Sequence, residues 1–108
     1  MIKKELINKA INRFCSLVFP SHKIDLLTYS DTIKYFINSK PKDQRVVKGS
    51  VLIIPSKRNI LTIWTFLDID NNVVCNKYNI PYGRKLIAKS LDSELGEVFG
   101  ENKLLIIE

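Results

Sequence analysis

The residues with the clearest capacity for chemistry are positively charged side chains in the middle of the chain. Residues 40–89 hold ten Lys or Arg and three acids, whereas residues 90–108 hold one Lys and five acids. Clustered positive charge attracts phosphates and carboxylates. The pattern therefore predicts a surface that binds nucleic acid or an acidic protein. The candidate binding residues are Arg45, Lys48, Lys57, Arg58, Tyr82, Arg84, Lys85 and Lys89.

Tyrosines stand beside several of these cations. Tyr82 comes just before Arg84 and Lys85, and Tyr78 lies a little earlier in the chain. Single-strand nucleic-acid binders combine cations that attract phosphates with aromatic rings on which bases stack. The alternative is that charged strand edges and hairpin tips only keep a sheet soluble and prevent strand pairing. Both interpretations fit the sequence.

One segment has the spacing of a metal-binding loop. Asp68, Asp70 and Asn72 match the first three ligand positions of a calcium loop, but Val73 replaces the required glycine and Asn79 replaces the bidentate glutamate. Asp and Asn are also the usual residues of turns, because their side chains bond to the nearby backbone. We interpret this segment as a turn and predict neither a metal site nor a cofactor.

Nucleophilic or acid–base catalysis has little support in the sequence. His22 is the sole histidine, and such chemistry needs a histidine with an orienting partner. Asp25 is close in sequence, and Ser21 and Cys15 are possible nucleophiles, but the spacing does not require these residues to meet His22, so an exposed loop histidine is expected. Cys15 and Cys75 are predicted to be reduced, buried thiols. A hydrolase or transferase is therefore the least favoured class.

The chain is predicted to begin with two helices. Apolar residues at spacings of three and four indicate an amphipathic helix over residues 2–18, which ends at Pro20. Residues 21–23 are interpreted as a loop. Thr28 with an acid three residues later forms a capping pattern that predicts a second helix over residues 29–39.

Hydrophobic alternation then predicts strands. Residues 46–54, 60–67 and 73–78 are expected to pair in sequence order as an antiparallel meander. The second of these strands is apolar on both faces, which indicates a central strand covered on two sides or a face buried in an oligomer. Residues 84–89 fit either a strand or a helix, and we favour a strand.

The end of the chain completes an α+β domain. A short late helix is predicted from Ser90 to Gly100, followed by a buried strand over residues 104–107 that could pair beside the Val51 strand. The predicted fold is a single domain over residues 1–108. Two N-terminal helices pack on an antiparallel sheet of about four strands, followed by the late helix and the C-terminal strand.

A cytoplasmic location is expected from the start of the chain. Polar residues, among them Glu5 and Asn8, interrupt any signal-peptide core. The longest uninterrupted apolar runs span four residues, far fewer than a transmembrane helix needs. The cationic face of the segment 2–18 could also meet an anionic membrane, but packing on the sheet is favoured, and no membrane partner is predicted.

The favoured function is non-enzymatic binding. We expect a small module that binds nucleic acid or an acidic protein through its basic sheet surface, and a homodimer is a further option because the two-faced strand could be completed by a second copy. The alternative is a small ribonuclease. The compact basic α+β format resembles that of the RelE-like messenger-cleaving toxins, in which cations and tyrosines on a sheet do the chemistry. The chain departs from that family because two helices are predicted first, without the leading strand that those proteins normally have, and because no motif matches residue by residue. The resemblance implies RNA-contacting roles for Arg45, Lys57, Arg58, Tyr82, Arg84 and Lys85.

Overall fold

A mixed β-sheet organises the part of the chain that the structure describes. The computed structural model describes residues 21–108, which contain five strands and two helices. The strands are β1 (Ser21–Leu27), β2 (Lys48–Pro55), β3 (Ile60–Leu67), β4 (Gly83–Leu91) and β5 (Leu104–Ile107). The helices are α1 (Tyr29–Asn38) and α2 (Ser93–Phe99). The strand order is β1-β4-β3-β2-β5, and β1 is parallel to β4 while all other neighbours are antiparallel.

The predicted fold class is wrong. The described residues form a five-stranded mixed sheet with one helix after the first strand and one late helix, not two N-terminal helices on a four-stranded antiparallel sheet. The helix predicted over residues 2–18 lies outside the described residues. The interpretation of residues 21–23 as a loop is also wrong, because they begin β1. The first residues of this edge strand, Ser21, His22 and Lys23, are polar, and its pairing partner β4 is distant in sequence, so no local pattern predicts the strand.

The meander contains a different third strand from the one predicted. Residues 73–78 make only isolated bridges, from Val73 to Leu67 and from Cys75 to Pro81. The strand that pairs with β3 is β4, whose residues include the ambiguous segment 84–89 that we interpreted as a strand. Two asparagine-rich loops fill the space between β3 and β4, so the chain travels further before it returns to the sheet.

Helix α1 begins and ends close to its predicted bounds. The Thr28 hydroxyl accepts a hydrogen bond from the Asp31 backbone N–H at 3.0 Å, which caps the first turn. The helix buries Thr32 and Phe36, and the Phe36 ring packs against Gly49 of β2. Its aromatic face lies on β3, with the Phe36 ring centroid 5.5 Å from that of Trp64.

The late helix was predicted with shifted bounds, whereas the terminal strand has its predicted bounds, Leu104–Ile107. β4 continues through Leu91, so α2 begins after Asp92, whose carboxylate accepts a hydrogen bond from Leu95 N at 2.8 Å. The same carboxylate accepts a hydrogen bond from the Tyr29 backbone N–H at 3.2 Å, which ties the starts of both helices together. The terminal strand pairs with β2 as predicted, with Val51 opposite Leu105.

Both faces of the sheet are apolar, as predicted for its central strand. On the first face, α1 and α2 insert Phe36, Leu95 and Phe99 into a core that includes Val51, Ile53, Trp64, Phe66, Leu86 and Ala88. On the second face, Leu52 and Ile63 are buried, with Ile54, Leu61, Val73 and Leu104 around them. Burying one such side chain stabilises a fold by about 1.5–3 kcal/mol. No helix among residues 21–108 is long and apolar enough to span a membrane.

Candidate anion-binding site

The eight predicted binding residues lie in separate regions of the sheet. Lys57 and Arg58 are exposed on the hairpin between β2 and β3. Arg84 and Lys85 are consecutive on β4, so their side chains project from opposite faces. The remaining four lie toward the other end of the sheet or on its second face: Arg45, Lys48, Tyr82 and Lys89. The structure does not bring the eight residues onto one continuous surface.

Three of the cations already have carboxylate partners. Arg45 pairs with Asp43 at 2.7 Å, and Lys89 Nζ lies 3.3 Å from Asp25. Lys48 Nζ donates to the Asn71 side chain at 2.9 Å and lies 3.9 Å from Glu108, the last residue of the acidic tail. These contacts reduce the positive potential that the three side chains can offer to a ligand.

Arg45 and Tyr82 meet at Asp43. The Asp43 carboxylate accepts hydrogen bonds from Arg45 Nε at 3.0 Å and Nη2 at 2.7 Å, and Tyr82 Oη lies 3.5 Å from the same carboxylate. The hydrogen bonds from Arg45 hold the pKa of Asp43 at about 2, below its ordinary value of 3.8. Arg45 also donates to the Cys75 carbonyl at 2.8 Å, so its guanidinium holds the loop between β3 and β4 against the loop that leads into β2.

Arg84 is held by aromatic rings instead of acids. Its Cζ atom lies 4.0 Å from the Tyr35 ring centroid and 4.2 Å from the Trp64 ring centroid. Trp64 is directly opposite Arg84 in the β3–β4 pair, and Tyr35 reaches the same place from α1. Ring faces carry negative potential that attracts a guanidinium. The rings therefore fix the position of this cation.

The Trp64 ring is itself oriented by buried hydrogen bonds. Its indole Nε1 donates to the Thr62 hydroxyl at 2.7 Å, and that hydroxyl donates to the Leu86 carbonyl at 2.7 Å. Trp64 and Thr62 are completely buried. The polar chain joins β3 to β4 directly under Arg84, so the support for the guanidinium is rigid.

The Arg84 guanidinium has unused hydrogen-bonding capacity. Its Nε is buried and has no acceptor, and none of the ion pairs among residues 21–108 involves it. Burial lowers the pKa of Arg84 from its ordinary value of 12.5, while the nearby Tyr35 and Asp31 raise it. Arginine stays charged at neutral pH despite such shifts. A partly buried cation without an acceptor is unfavourable, so a bound anion would stabilise it.

Arg84 borders a surface pocket between α1 and the β1 edge of the sheet. The pocket has a volume of about 370 Å3. Its polar lining comes mostly from one side of α1 and the residue after it, and its apolar lining comes from β1 and β4. The lining residues besides Arg84 are Asp31, Lys34, Tyr35, Asn38, Ser39, Ile24, Leu27 and Leu86. Two cations, one carboxylate and neutral donors therefore surround a partly apolar floor.

Sequence analysis identified Arg84 but missed its partners. Trp64 belongs to the predicted strand 60–67, and Lys34 and Asn38 belong to the predicted helix 29–39, but none of the three was a candidate binding residue. The pairing of Trp64 with Arg84 depends on the β3–β4 register, which fixes which residues face each other. No spacing within the sequence marks this relationship.

Two other predicted features have simple structural roles. The Asp68 carboxylate accepts hydrogen bonds from the backbone of Asp70 and Asn72, both at 2.9 Å, which is turn chemistry. His22 is exposed on β1, opposite Leu86, rather than in a loop. Within residues 21–108, no group of three or more His, Cys, Asp or Glu side chains could hold a metal ion.

Comparison with known proteins gave no match. No protein-family model, no curated protein and no solved structure matches the chain.

Proposed function

We propose that this protein is a non-enzymatic binding module whose Arg84 pocket binds a carboxylate of an acidic partner protein. The observation that carries the proposal is the ring-held, unpaired guanidinium at the edge of a pocket. A guanidinium presents two parallel N–H donors that match a carboxylate, and such charge-assisted pairs are among the strong hydrogen bonds. The immobilised side chain loses little freedom when a ligand binds.

The surroundings of Arg84 favour a protein ligand over a nucleic acid. A nucleic-acid strand needs several cations along its path, because affinity grows with the number of phosphates neutralised. Two of the other predicted cations, Lys57 and Arg58, are on the β2–β3 hairpin, whereas the pocket lies between α1 and β1. The pocket is also lined by the apolar residues Ile24 and Leu27, which suit aliphatic side chains that flank a glutamate.

The site itself provides a reporter for a binding test. Trp64 is the sole tryptophan of the chain and contacts the Arg84 guanidinium, so its fluorescence should change when a ligand binds. The protein is titrated with a glutamate-rich peptide and, separately, with single-stranded DNA at the same low ionic strength. We expect saturable binding of the peptide and weaker binding of the DNA.

Matched variants separate the pocket from general charge. Arg84→Gln should weaken peptide binding about tenfold or more, since a hydrogen bond to a charged group contributes about 1.5–3 kcal/mol. Arg84→Lys should also weaken it, because lysine lacks the planar pair of donors. Arg58→Gln removes the same charge from the hairpin and should change the affinity by about twofold or less. Equal losses in Arg84→Gln and Arg58→Gln, or tighter binding of DNA, would contradict the proposal.

Lys34→Gln serves as a second variant of the same pocket. Lys34 lies on the exposed side of α1, so its replacement leaves the ring contacts of Arg84 in place. We expect a smaller loss of peptide affinity than in Arg84→Gln and an unchanged fold by circular dichroism. This variant keeps the proposal testable if replacing Arg84 destabilises the protein.

A small RNA-cleaving protein is the second candidate, and two observations favour it. β1 precedes α1, which supplies the leading strand of the RelE-like format that the sequence analysis did not predict. Arg45 and Tyr82, both candidates for that activity, converge on Asp43. For this candidate we expect the protein to cleave RNA without added metal and Tyr82→Phe to lose the cleavage. Intact RNA after prolonged incubation would leave only the binding proposal.

We also propose that the protein is located in the cytoplasm. Cys75 is a free, half-buried thiol, which is compatible with the reducing cytoplasm predicted from the sequence.

A further inference from the structure

Among residues 21–108, strand β5 forms one edge of the sheet and lacks the usual protection of an edge. Its four residues, Leu104–Ile107, are all apolar and all partly exposed. The opposite edge, β1, instead exposes His22, Lys23 and Asp25. Natural sheets guard their edges with charges, prolines or bulges, because a bare edge pairs with another strand. The difference between the two edges indicates that β5 is covered by a strand in solution.

The backbone of β5 has groups available for such pairing. Ile53 N donates to the Lys103 carbonyl, and Val51 lies opposite Leu105 in the antiparallel β2–β5 pair. Alternation in an antiparallel ladder then turns the backbone groups of Leu104 and Ile106 away from β2. Among residues 21–108 no strand pairs with that outer side. Two N–H groups and two carbonyls can therefore bond to an added strand.

An apolar groove runs beside β5 on the helix-bearing face of the sheet. It has a volume of about 690 Å3 and lies between α1, α2 and β5. Three of the exposed large apolar residues border it, namely Ile37 at 69%, Val47 at 43% and Val98 at 42% exposure. Converging exposed apolar side chains mark an interaction surface rather than scattered surface residues.

Residues of opposite charge flank the groove, which Lys40 and Lys48 line from one side and Val98 of α2 lines from another. Lys40 and Lys42 follow α1, with no acid between Asp31 and Asp43. Lys40 and Lys48 both line the groove, and Lys48 Nζ lies 3.9 Å from Glu108 directly after β5, so we call this the basic end of the groove. The residues on and around α2, near the beginning of β5, are acidic and include no Lys or Arg from Ser90 to Asn102. These acids are Asp92, Glu94, Glu97 and Glu101.

The surface formed by β5 and the groove beside it is complementary to the same surface of a second copy related by a two-fold axis. When two β5 strands pair antiparallel, the beginning of one strand lies beside the end of the other. The basic end of the groove in one copy then faces the acidic α2 of the second copy, and the two grooves join over a continuous sheet. Identical patches that complement each other about a two-fold axis are the pattern of most homodimers.

We propose that the protein forms a homodimer in which β5 pairs with β5 of a second copy and the grooves beside them close on each other. The dimer surface is on the β5 side of the sheet, whereas the Arg84 pocket is on the β1 side. The dimer is therefore independent of the proposed binding function, and either can fail without the other.

Sedimentation equilibrium of the full chain over a range of concentrations tests the dimer. We expect a reversible monomer–dimer equilibrium in the wild type. Ile106→Pro removes an outward N–H that β2 does not use, and an edge strand tolerates proline at such a position. It should weaken dimerisation by about tenfold or more. The control Ile106→Val keeps the N–H and should dimerise like the wild type.

Charge reversals test the arrangement of the two copies without altering the strand. Lys40→Glu and Glu97→Lys should each weaken the dimer, because each places like charges at the joined grooves. The double variant restores opposite charges and should recover most of the dimer affinity. A wild type that stays monomeric at every concentration overturns the proposal, as does an Ile106→Pro protein that dimerises normally. Failure of the double variant to recover refutes the antiparallel arrangement.

Discussion

The guanidinium carbon of Arg84 lies 4.2 Å from the centroid of the Trp64 ring, and the two residues are direct cross-strand partners. Tyr35 adds a second ring at 4.0 Å. A cation held against desolvated rings gains about 2 kcal/mol, which keeps the side chain in place without a carboxylate partner. The charge is thereby available at a fixed position, and the following predictions test this support and the fold around it.

The stability of the protein should decline in alkali, because the phenol of Tyr35 ionises. Burial raises the pKa of Tyr35 above its ordinary value of 10, and the positive charge of Arg84 partly lowers it. The neutral phenol is favoured in the folded state, so its contribution is complete below pH 10 and is lost as the pH rises through the folded pKa. We expect the urea midpoint to fall above pH 10 and to fall less in Tyr35→Phe. An equal decline in both proteins would assign the effect to other groups.

The contact between Asp43 and Arg45 should make the stability of the protein depend on pH in acid. Hydrogen bonds from Arg45 hold the pKa of Asp43 at about 2. The ionised carboxylate of Asp43 therefore contributes to stability above pH 3.8, and this contribution is lost as the pH falls through about 2. In Arg45→Met we expect the carboxyl carbon of Asp43, followed by NMR, to titrate nearer 3.8. Arg58→Met is the control and should leave the titration unchanged. A titration of Asp43 that Arg45→Met does not move would rule out the contact.

The close packing of α1 on β2 depends on Gly49. A Cβ atom added at Gly49 would overlap the ring of Phe36. Overpacking of this kind costs about 1–3 kcal/mol, so we expect Gly49→Ala to lower the free energy of unfolding by that amount. Phe36→Leu should relieve part of the cost when both changes are combined, as a double-mutant cycle would measure.

Gly96 is the matched control for that substitution. A Cβ atom at Gly96 meets nothing within 4 Å, and the residue is exposed in α2. Alanine is preferred over glycine inside a helix by about 0.5–1 kcal/mol, so Gly96→Ala should raise the free energy of unfolding. Similar losses at both glycines would show that contact with Phe36 does not set the cost.

Loss of the Thr62 hydroxyl should destabilise the protein even when the side chain keeps its size. In Thr62→Val the buried Nε1 of Trp64 loses its acceptor, and an unsatisfied buried donor costs about 1–3 kcal/mol. We expect a lower urea midpoint and a shifted indole N–H resonance. Thr62→Ser keeps the hydroxyl and should keep the indole resonance. Ser56→Ala removes an exposed hairpin bond and should change stability by about 0.5 kcal/mol or less. Equal effects of valine and serine at position 62 would contradict the role of the hydroxyl.

Several elements could be predicted because their signals are local. The capping hydroxyl of Thr28 sits next to the helix that it begins, and alternation along β3 shows two apolar faces within eight residues. The terminal strand is apolar throughout, and its pairing with β2 is confirmed, but the predicted burial is wrong, because all four residues are partly exposed. Each signal depends on neighbours in sequence, so it can be interpreted without knowing the rest of the fold.

The sequence alone determined the central strand, the capped helix and a net positive charge that is concentrated before the acidic end of the chain. The tertiary structure alone decided that β1 is a strand, because its pairing with β4 joins residues about sixty positions apart. It also decided that the side chains of Arg84 and Lys85 project from opposite faces of the sheet. Arg84 contacts aromatic rings, whereas Arg45 contacts a carboxylate. Register and packing set these relationships, since both depend on contacts between distant segments.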